Sequence, residues 1–487
     1  VIGRIALLLL ATTARAGAEP EIASSTEPRV VPPSESQPTT APAASPSKGD
    51  ATAAAVAGAP VPGYESGRVD EVDGGDSLLR RGARGAMYLP KLAVDVALSP
   101  VRGTIWAFER YNLLDRYHKL FFNDADTIGL LPTAAFDSGY GITAGAHFVA
   151  RDLFGARESL SLDTSFGGVY RQIYRGGLKS GELLGGHIRL ELRGLYEQRP
   201  KDPFYGIGNN DLSAMPPSLV DPRMDSTAIA TRYRERIERV AGVLDVRPVD
   251  GFHIRSSTEL ADHTFGASDT GVPVDAAYDP TALVGFDGVR YVYSELELRL
   301  DSRRNADPLE PASMYSAGSL AAAFGGLVHR IDGGPDFWRY GVDLQHFIRL
   351  GDGPRVIAVR LHGEAVTGTL DEVPFTELPR LGGAYYLRGY DSERFRDRVA
   401  ALGSVDYEWD LSSRLAASLF VDAGRVMPSV NELSVDHMRV GYGIALEAHS
   451  PRSFGFQGSL ASSIDGGLFL NLSFNPIFDL DDRVRRR

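Results

Sequence analysis

The chain has 487 residues, 43% of them hydrophobic and 23% charged, with a net charge of −12 and no cysteine. The acidic balance excludes nucleic acid as a main partner, because phosphate binding needs a basic face. The missing cysteine excludes disulfides, thiol nucleophiles and cysteine-ligated zinc. By its average alone, a mean hydropathy of −0.14 describes a soluble protein of roughly two or three domains.

The first element contradicts that average. Residues 1–18 read VIGRIALLLLATTARAGA: a positive Arg4, a short apolar run, then small residues suited to cleavage. This is the order of a secretory signal peptide, too short to span a membrane as a helix. Residues 19–87 are rich in Pro, Ala and Ser and are predicted to be a disordered linker, since they bury too little apolar surface to offset chain entropy. Residues 88–125 differ. Behind Pro100, Ile105, Phe108, Leu113 and Tyr117 recur at near-helical spacing. They predict one amphipathic helix, placed at a membrane surface or against an opening. No later run reaches the roughly 18 apolar residues of a transmembrane helix.

From residue 126 to 478 the period changes to two. In RYVYSELELRLDSRR, Val292, Leu296, Leu298 and Leu300 oppose Tyr293, Glu295, Glu297, Arg299 and Asp301; in SVDYEWDL, Val405, Tyr407, Trp409 and Leu411 oppose Ser404, Asp406, Glu408 and Asp410. A soluble sandwich also alternates, but its strands run nearer five or six residues. Many segments here are long enough for the nine to eleven or so tilted residues of a membrane barrel strand, apolar outside and polar inside. The predicted fold is therefore all-β: a transmembrane antiparallel barrel, with about fifteen such segments along the chain. Tyr407, Trp409 and Phe474 are placed at interfacial girdles. A charged tail, residues 479–487, follows the last aromatic, Phe478.

Several segments resemble, in order, the bacterial surface-antigen barrels, the superfamily of the BamA/TamA outer-membrane assembly proteins. FYGIGNN, with Gly206, Gly208 and Asn209, is similar to an aromatic-Gly-x-Gly-Asn loop. LRLDSRRNADPLEPASMY, with Asp301 and Arg303, is similar to a strand ending in D-x-R-x-N-P-x-x-P, with Ala306 intervening before Asp307-Pro308. LPRLGGAYYLRGY carries the glycine pair Gly382-Gly383 and the tetrad Leu387-Arg388-Gly389-Tyr390; FVDAGRV carries Asp422 and Gly424. The resemblance implies that the tetrad caps a loop folded back into the lumen, with Arg388 meeting Asp422 and Gly382 and Gly383 as hinges. Alternation independently turns Ser418, Phe420, Asp422 and Gly424 inward. Five strands are expected after the loop, near 398–411, 414–426, 438–449, 453–464 and 467–478. Ten are found before it where the family's barrel of about sixteen strands implies eleven, and residues 211–250 are the place for the missing one. Residues 19–125 leave no room for the family's periplasmic polypeptide-binding repeats.

The sequence holds no GxSxG elbow and no HExxH motif. The inward carboxylates and His187, His362 and His449 read as lumen lining rather than catalysis. The expectation is a non-enzymatic outer-membrane barrel, exported through the periplasm, without cofactor or metal. It would aid insertion or translocation of proteins or lipids through a lateral seam. Its expected partners are outer-membrane lipid and unfolded client proteins or assembly-machinery subunits. A passive pore and a surface-exposed binding barrel, with a partner site on loops 199–226 and 265–288, are the alternatives.

Overall fold

A computed structural model describes residues 120–473, apart from 126, 138–140, 153, 169–170, 216–217, 224–227, 304–316, 352–354, 413–414 and 451–452. The signal peptide, the linker, all but the end of the pre-barrel segment, Phe474, Phe478 and the charged tail lie outside the described residues.

The strands are β1 (Ile128–Asp137), β2 (Gly141–Arg151), β3 (Ser159–Gly167), β4 (Arg171–Lys179), β5 (Ile188–Phe204), β6 (Thr231–Val249), β7 (Phe252–Ala267), β8 (Val289–Asp301), β9 (Gly318–Arg330), β10 (Phe337–Arg349), β11 (Arg355–Val366), β12 (Arg380–Leu381), β13 (Phe395–Arg396), β14 (Val399–Ser412), β15 (Leu415–Met427), β16 (Arg439–Ser450), β17 (Ser453–Ser463) and β18 (Leu468–Ser473). The short β12 and β13 pair with each other. The others form one 16-stranded antiparallel sheet in chain order, in which β11 pairs β14 across the loop 367–398. β1 and β18 are neighbours, which closes the barrel. Among the described residues no backbone ladder joins them.

Eleven strands precede the loop, and β6 falls inside 211–250, the segment left for the missing one. One boundary needs correction. The loop expected over 199–226 starts later, although Pro200 and Pro203 lack ladder donors. β5 continues to Phe204, and a register shift between Arg199 and Asp202 accommodates the prolines.

The barrel is inside-out relative to a soluble domain. On β8, Leu296, Leu298 and Leu300 are exposed on the outer face, while Tyr293, Glu295 and Glu297 are buried toward the lumen. Hydrocarbon, not water, is the solvent for the leucines. Outward rings form bands near both ends. Phe166, Tyr174 and Tyr196 lie in series with centroids 5.6 and 5.9 Å apart; Tyr407 and Trp409 lie 5.4 Å apart toward the opposite end. β5, β6 and β7, with 17, 19 and 16 residues, exceed what a bilayer crossing needs. Beyond the Tyr174–Tyr196 band, β6 presents Arg234 and Arg236 outward, each about half exposed. Introducing arginine at the lipid-facing Leu361 in the middle of β11 should cost about 2–4 kcal/mol, measured by urea titration of the barrel in lipid vesicles.

The long connections 205–230, 268–288 and 367–398 gather at one end. Their apolar side chains pack with the strand ends into one cluster that includes Phe204, Tyr233, Tyr278, Tyr291, Phe375 and Leu378. Phe375 contacts the rings of Phe204, Tyr233 and Phe265 at centroid distances of 5.5, 5.4 and 5.2 Å. Apolar packing thus fills the lumen at the end where the loop enters.

Candidate functional site: a loop seated in the lumen

The receiving wall is built by register. β14 and β15 pair so that Asp406 faces Phe420 and Ser404 faces Asp422. Directly paired residues share a face, as do residues two apart on a strand. Asp406 and Asp422 are therefore diagonal neighbours inside the barrel, with Phe420 between them.

Arg388 fits this gap. Its Nε and Nη2 donate to Asp422 Oδ2 and Oδ1 at 2.8 and 2.6 Å. Its Nη1 and Nη2 donate to Asp406 Oδ2 and Oδ1 at 2.8 and 2.7 Å. Its backbone N–H also donates to Asp422 Oδ2 at 2.8 Å. The guanidinium carbon lies 3.7 Å from the Phe420 ring centroid. One planar fork thus serves two carboxylates edge-on and an aromatic face flat-on, a combination lysine lacks. All three charged residues are almost fully buried. Burial opposes the Arg388 cation, but Asp406 and then Asp422 outweigh it and raise its pKa above the ordinary value.

Two further contacts hold the loop. Tyr386 lies under Arg360, whose guanidinium carbon is 4.6 Å from the ring centroid, and meets His362 edge-on at 4.8 Å. Arg360 is itself fixed by Asp343 at 2.9 and 2.6 Å, and His362 Nδ1 lies 3.1 Å from the same carboxylate. Within the loop, Glu393 pairs with Arg380 at 2.7 Å and Arg396 at 3.1 Å. Burial raises the Glu393 pKa, but Arg380 and Arg396 more than reverse this and hold it at about 2. A depressed carboxylate stabilises the fold above its unfolded pKa and loses that contribution as pH falls through the folded value. Conductance of the reconstituted barrel should therefore stay flat from pH 7 to 5 and rise below roughly pH 3.

Gly389 and Gly441 make the tip's close approach possible. A Cβ on Gly441 would lie 1.6 Å from the Arg388 carbonyl oxygen; one on Gly389, whose φ is +95°, would lie 2.2 Å from the Ser462 carbonyl oxygen. The tip rests directly on the backbones of β16 and β17. Tyr390 donates from its hydroxyl to Asp465 at 2.9 Å. Gly424 faces inward beside Leu381 of the loop. Gly382 and Gly383 have φ of +119° and +90° and donate to the carbonyls of Tyr386 and Tyr390, so they close the loop upon itself.

The FYGIGNN segment meets the same assembly from above. Gly206 takes a positive φ, Gly208 N–H donates to the Arg396 carbonyl at 2.8 Å, and Asn209 Nδ2 donates to the His437 carbonyl at 3.0 Å. Asp301 and Arg303 stand elsewhere, at the short-turn end. Arg303 binds Asp301 through Nε and Nη2 at 2.9 and 2.7 Å and reaches Gln345 at 3.0 Å. His187 does not line the lumen: it is exposed just before β5 and bonds the Arg247 carbonyl. The side chain of His449 lies outside the described residues.

Sequence reasoning identified Asp406 as lumen lining but not as a partner of Arg388. The available signal was its place on an inward face two positions from the residue paired with Asp422. Nothing local marked Tyr386 for the Arg360–His362 seat, which requires β10 and β11 to stand opposite the loop.

The architecture is thus a 16-stranded antiparallel barrel that seats an Arg-Gly-Tyr loop on an inner-wall aspartate. Residues 312–465, which include the loop and its receiving strands, match the Omp85 superfamily domain. The loop and the strands that receive it thus lie within a segment similar to the Omp85 superfamily domain. The chain's fold is similar to that of BamA from Haemophilus ducreyi lacking POTRA domains 1–3, at 15% identity and a TM-score of 0.51, over 71% of this chain and 70% of that one. CdiB from Acinetobacter baumannii (9% identity, TM-score 0.43) and CdiB from Escherichia coli (10%, 0.45) align over 71% of this chain and 57% and 61% of theirs. No curated protein sequence matches the chain.

Proposed function

We propose that this protein aids insertion or translocation of client proteins, or of lipids, at the outer membrane. The working elements are the lateral boundary between β1 and β18 and the lumen loop 367–398, held in place by Arg388. The observation that carries the reading is the buried Arg388 fork between Asp406 and Asp422. A fully buried cation shared by two carboxylates on adjacent strands is a costly arrangement unless its geometry is needed. Here it seats a long loop against the strands that lead to the β1–β18 boundary.

The chemistry is mechanical rather than catalytic. With the loop seated, the lumen is packed at the end where the loop enters and the C-terminal strands are braced from inside. At the β1–β18 boundary, where no ladder joins the two strands among the described residues, edge groups would be open to an incoming strand by backbone pairing. The packing at the loop-entry end favours this role over a passive pore. The reading includes export through the periplasm, outer-membrane lipid as the surrounding partner, and unfolded barrels or assembly subunits as protein partners.

The test is reconstitution. Liposomes carrying the folded protein should accelerate insertion of a denatured client barrel over empty liposomes, and Arg388→Ala should abolish the acceleration. Equal rates with and without the folded wild-type barrel would overturn the proposal.

A further inference from the structure

The tip of the loop contacts more than the wall that holds Arg388. Tyr390 Oη donates to Asp465 Oδ2 at 2.9 Å. Asp465 lies in the turn 464–467 between β17 and β18. The same carboxylate oxygen accepts from Arg439 Nη1 at 2.8 Å. Arg439 opens β16, donates through Nη2 to the Asn209 carbonyl at 2.6 Å, and pairs with Asp211. One carboxylate therefore gathers the loop tip, the start of β16 and, through Arg439, the FYGIGNN segment.

The turn that carries Asp465 is braced. Ser462 Oγ donates to the Gly467 carbonyl and Ser463 Oγ to the Gly466 carbonyl, each at 2.7 Å. Ile464 N–H donates to the Val440 carbonyl at 3.0 Å. Gly389 presses on the Ser462 backbone at the foot of the same turn. β18 is described over six residues, and its ladder runs to β17. A displacement of the turn is therefore transmitted directly to β18.

We infer that Tyr390, Asp465 and Arg439 form a tether that couples the seat of the lumen loop to the position of the last strand. With the loop seated, the tether holds the β17–β18 hairpin and keeps β18 beside β1. When the tip lifts, β18 loses this brace. These are positioning residues, acting on the boundary through the turn. The inference deepens the proposed function and rests on its reading of the β1–β18 boundary as the working seam.

The absence of native cysteine allows a clean distance measurement on the full chain in liposomes. Spin labels at Leu130→Cys in β1 and Leu470→Cys in β18 report the seam. Labels at Leu344→Cys and Leu361→Cys, which pair directly between β10 and β11, report a closed ladder. Tyr390→Phe, which removes one hydroxyl, should raise the ratio of long to short seam distances roughly tenfold, the scale of a hydrogen bond to a charged group. Asp465→Asn should raise it further, and Arg439→Lys should fall between the two and wild type. The β10–β11 distances should not change in any variant.

An unchanged seam distribution in Tyr390→Phe would overturn the tether, whatever the loop does. If Asp465→Asn fails to fold, Tyr390→Phe alone decides. A seam that opens while client insertion is unaffected would leave the tether standing and remove the insertion reading instead.

Discussion

Arg388→Ala should destabilise the barrel by about 3–5 kcal/mol, the usual cost of breaking a buried ion pair from one side. The variant leaves Asp406 and Asp422 as diagonal neighbours, both almost fully buried, without the cation that separated them. Two carboxylates at that distance in a poorly hydrated site cannot both remain charged cheaply. The loop, held then by Tyr386 and the Glu393 pairs, should leave its seat part of the time. Heat-modifiable migration should show a lowered unfolding temperature, and bilayer recordings should show intermittent conductance absent from the wild type. Arg388→Lys should recover little of this, because one ammonium cannot serve four carboxylate oxygens in a plane and stack on Phe420. Arg388→Ala combined with Asp406→Asn and Asp422→Asn should recover part of the stability without recovering client insertion. That split would separate the cost of orphaned charge from the work of a seated loop. Full recovery of insertion in the triple variant would remove the clamp from the mechanism.

Gly441→Val should be nearly as severe, by a steric route. The first atom of any side chain at Gly441 would lie 1.6 Å from the Arg388 carbonyl oxygen. The obstacle is backbone, so no rotamer relieves it. Either β16 moves from the loop or the loop rises from β16. Overpacking of this kind costs typically 1–3 kcal/mol and occasionally more. The upper part of that range is expected here, because a seated tip must shift by more than an ångström and drag its guanidinium from two carboxylates. Gly403→Val is the control. It lies on the lipid face of β14, and its nearest neighbour would be a Leu361 methyl at 3.5 Å, ordinary van der Waals contact. Gly441→Val should raise protease access to the loop and single-channel conductance, while Gly403→Val leaves both at wild-type level. Equal behaviour of the two would mean that the tip does not depend on contact with β16.

Alternation determined the architecture, because a strand that separates hydrocarbon from a wet lumen must repeat every two residues. That period placed Asp422 and Phe420 inward and Leu419 and Val421 outward, and it located all five strands after the loop. It was blind where chemistry and period disagree. The prolines of β5 look like a loop until a bulge absorbs them, and β6 spends part of its outward face on arginines because it rises past the bilayer. The tetrad and the aspartate strand were legible through their resemblance to the surface-antigen barrels, and alternation added that Asp422 faces inward. Which carboxylates share the guanidinium was not legible, because Asp406 and Asp422 become neighbours only through the β14–β15 register. The Tyr386 seat on β10–β11 and the Tyr390–Asp465–Arg439 node join segments far apart in the chain. Local sequence carries no trace of such contacts, because they exist only once closure of the barrel brings its walls within reach of one loop.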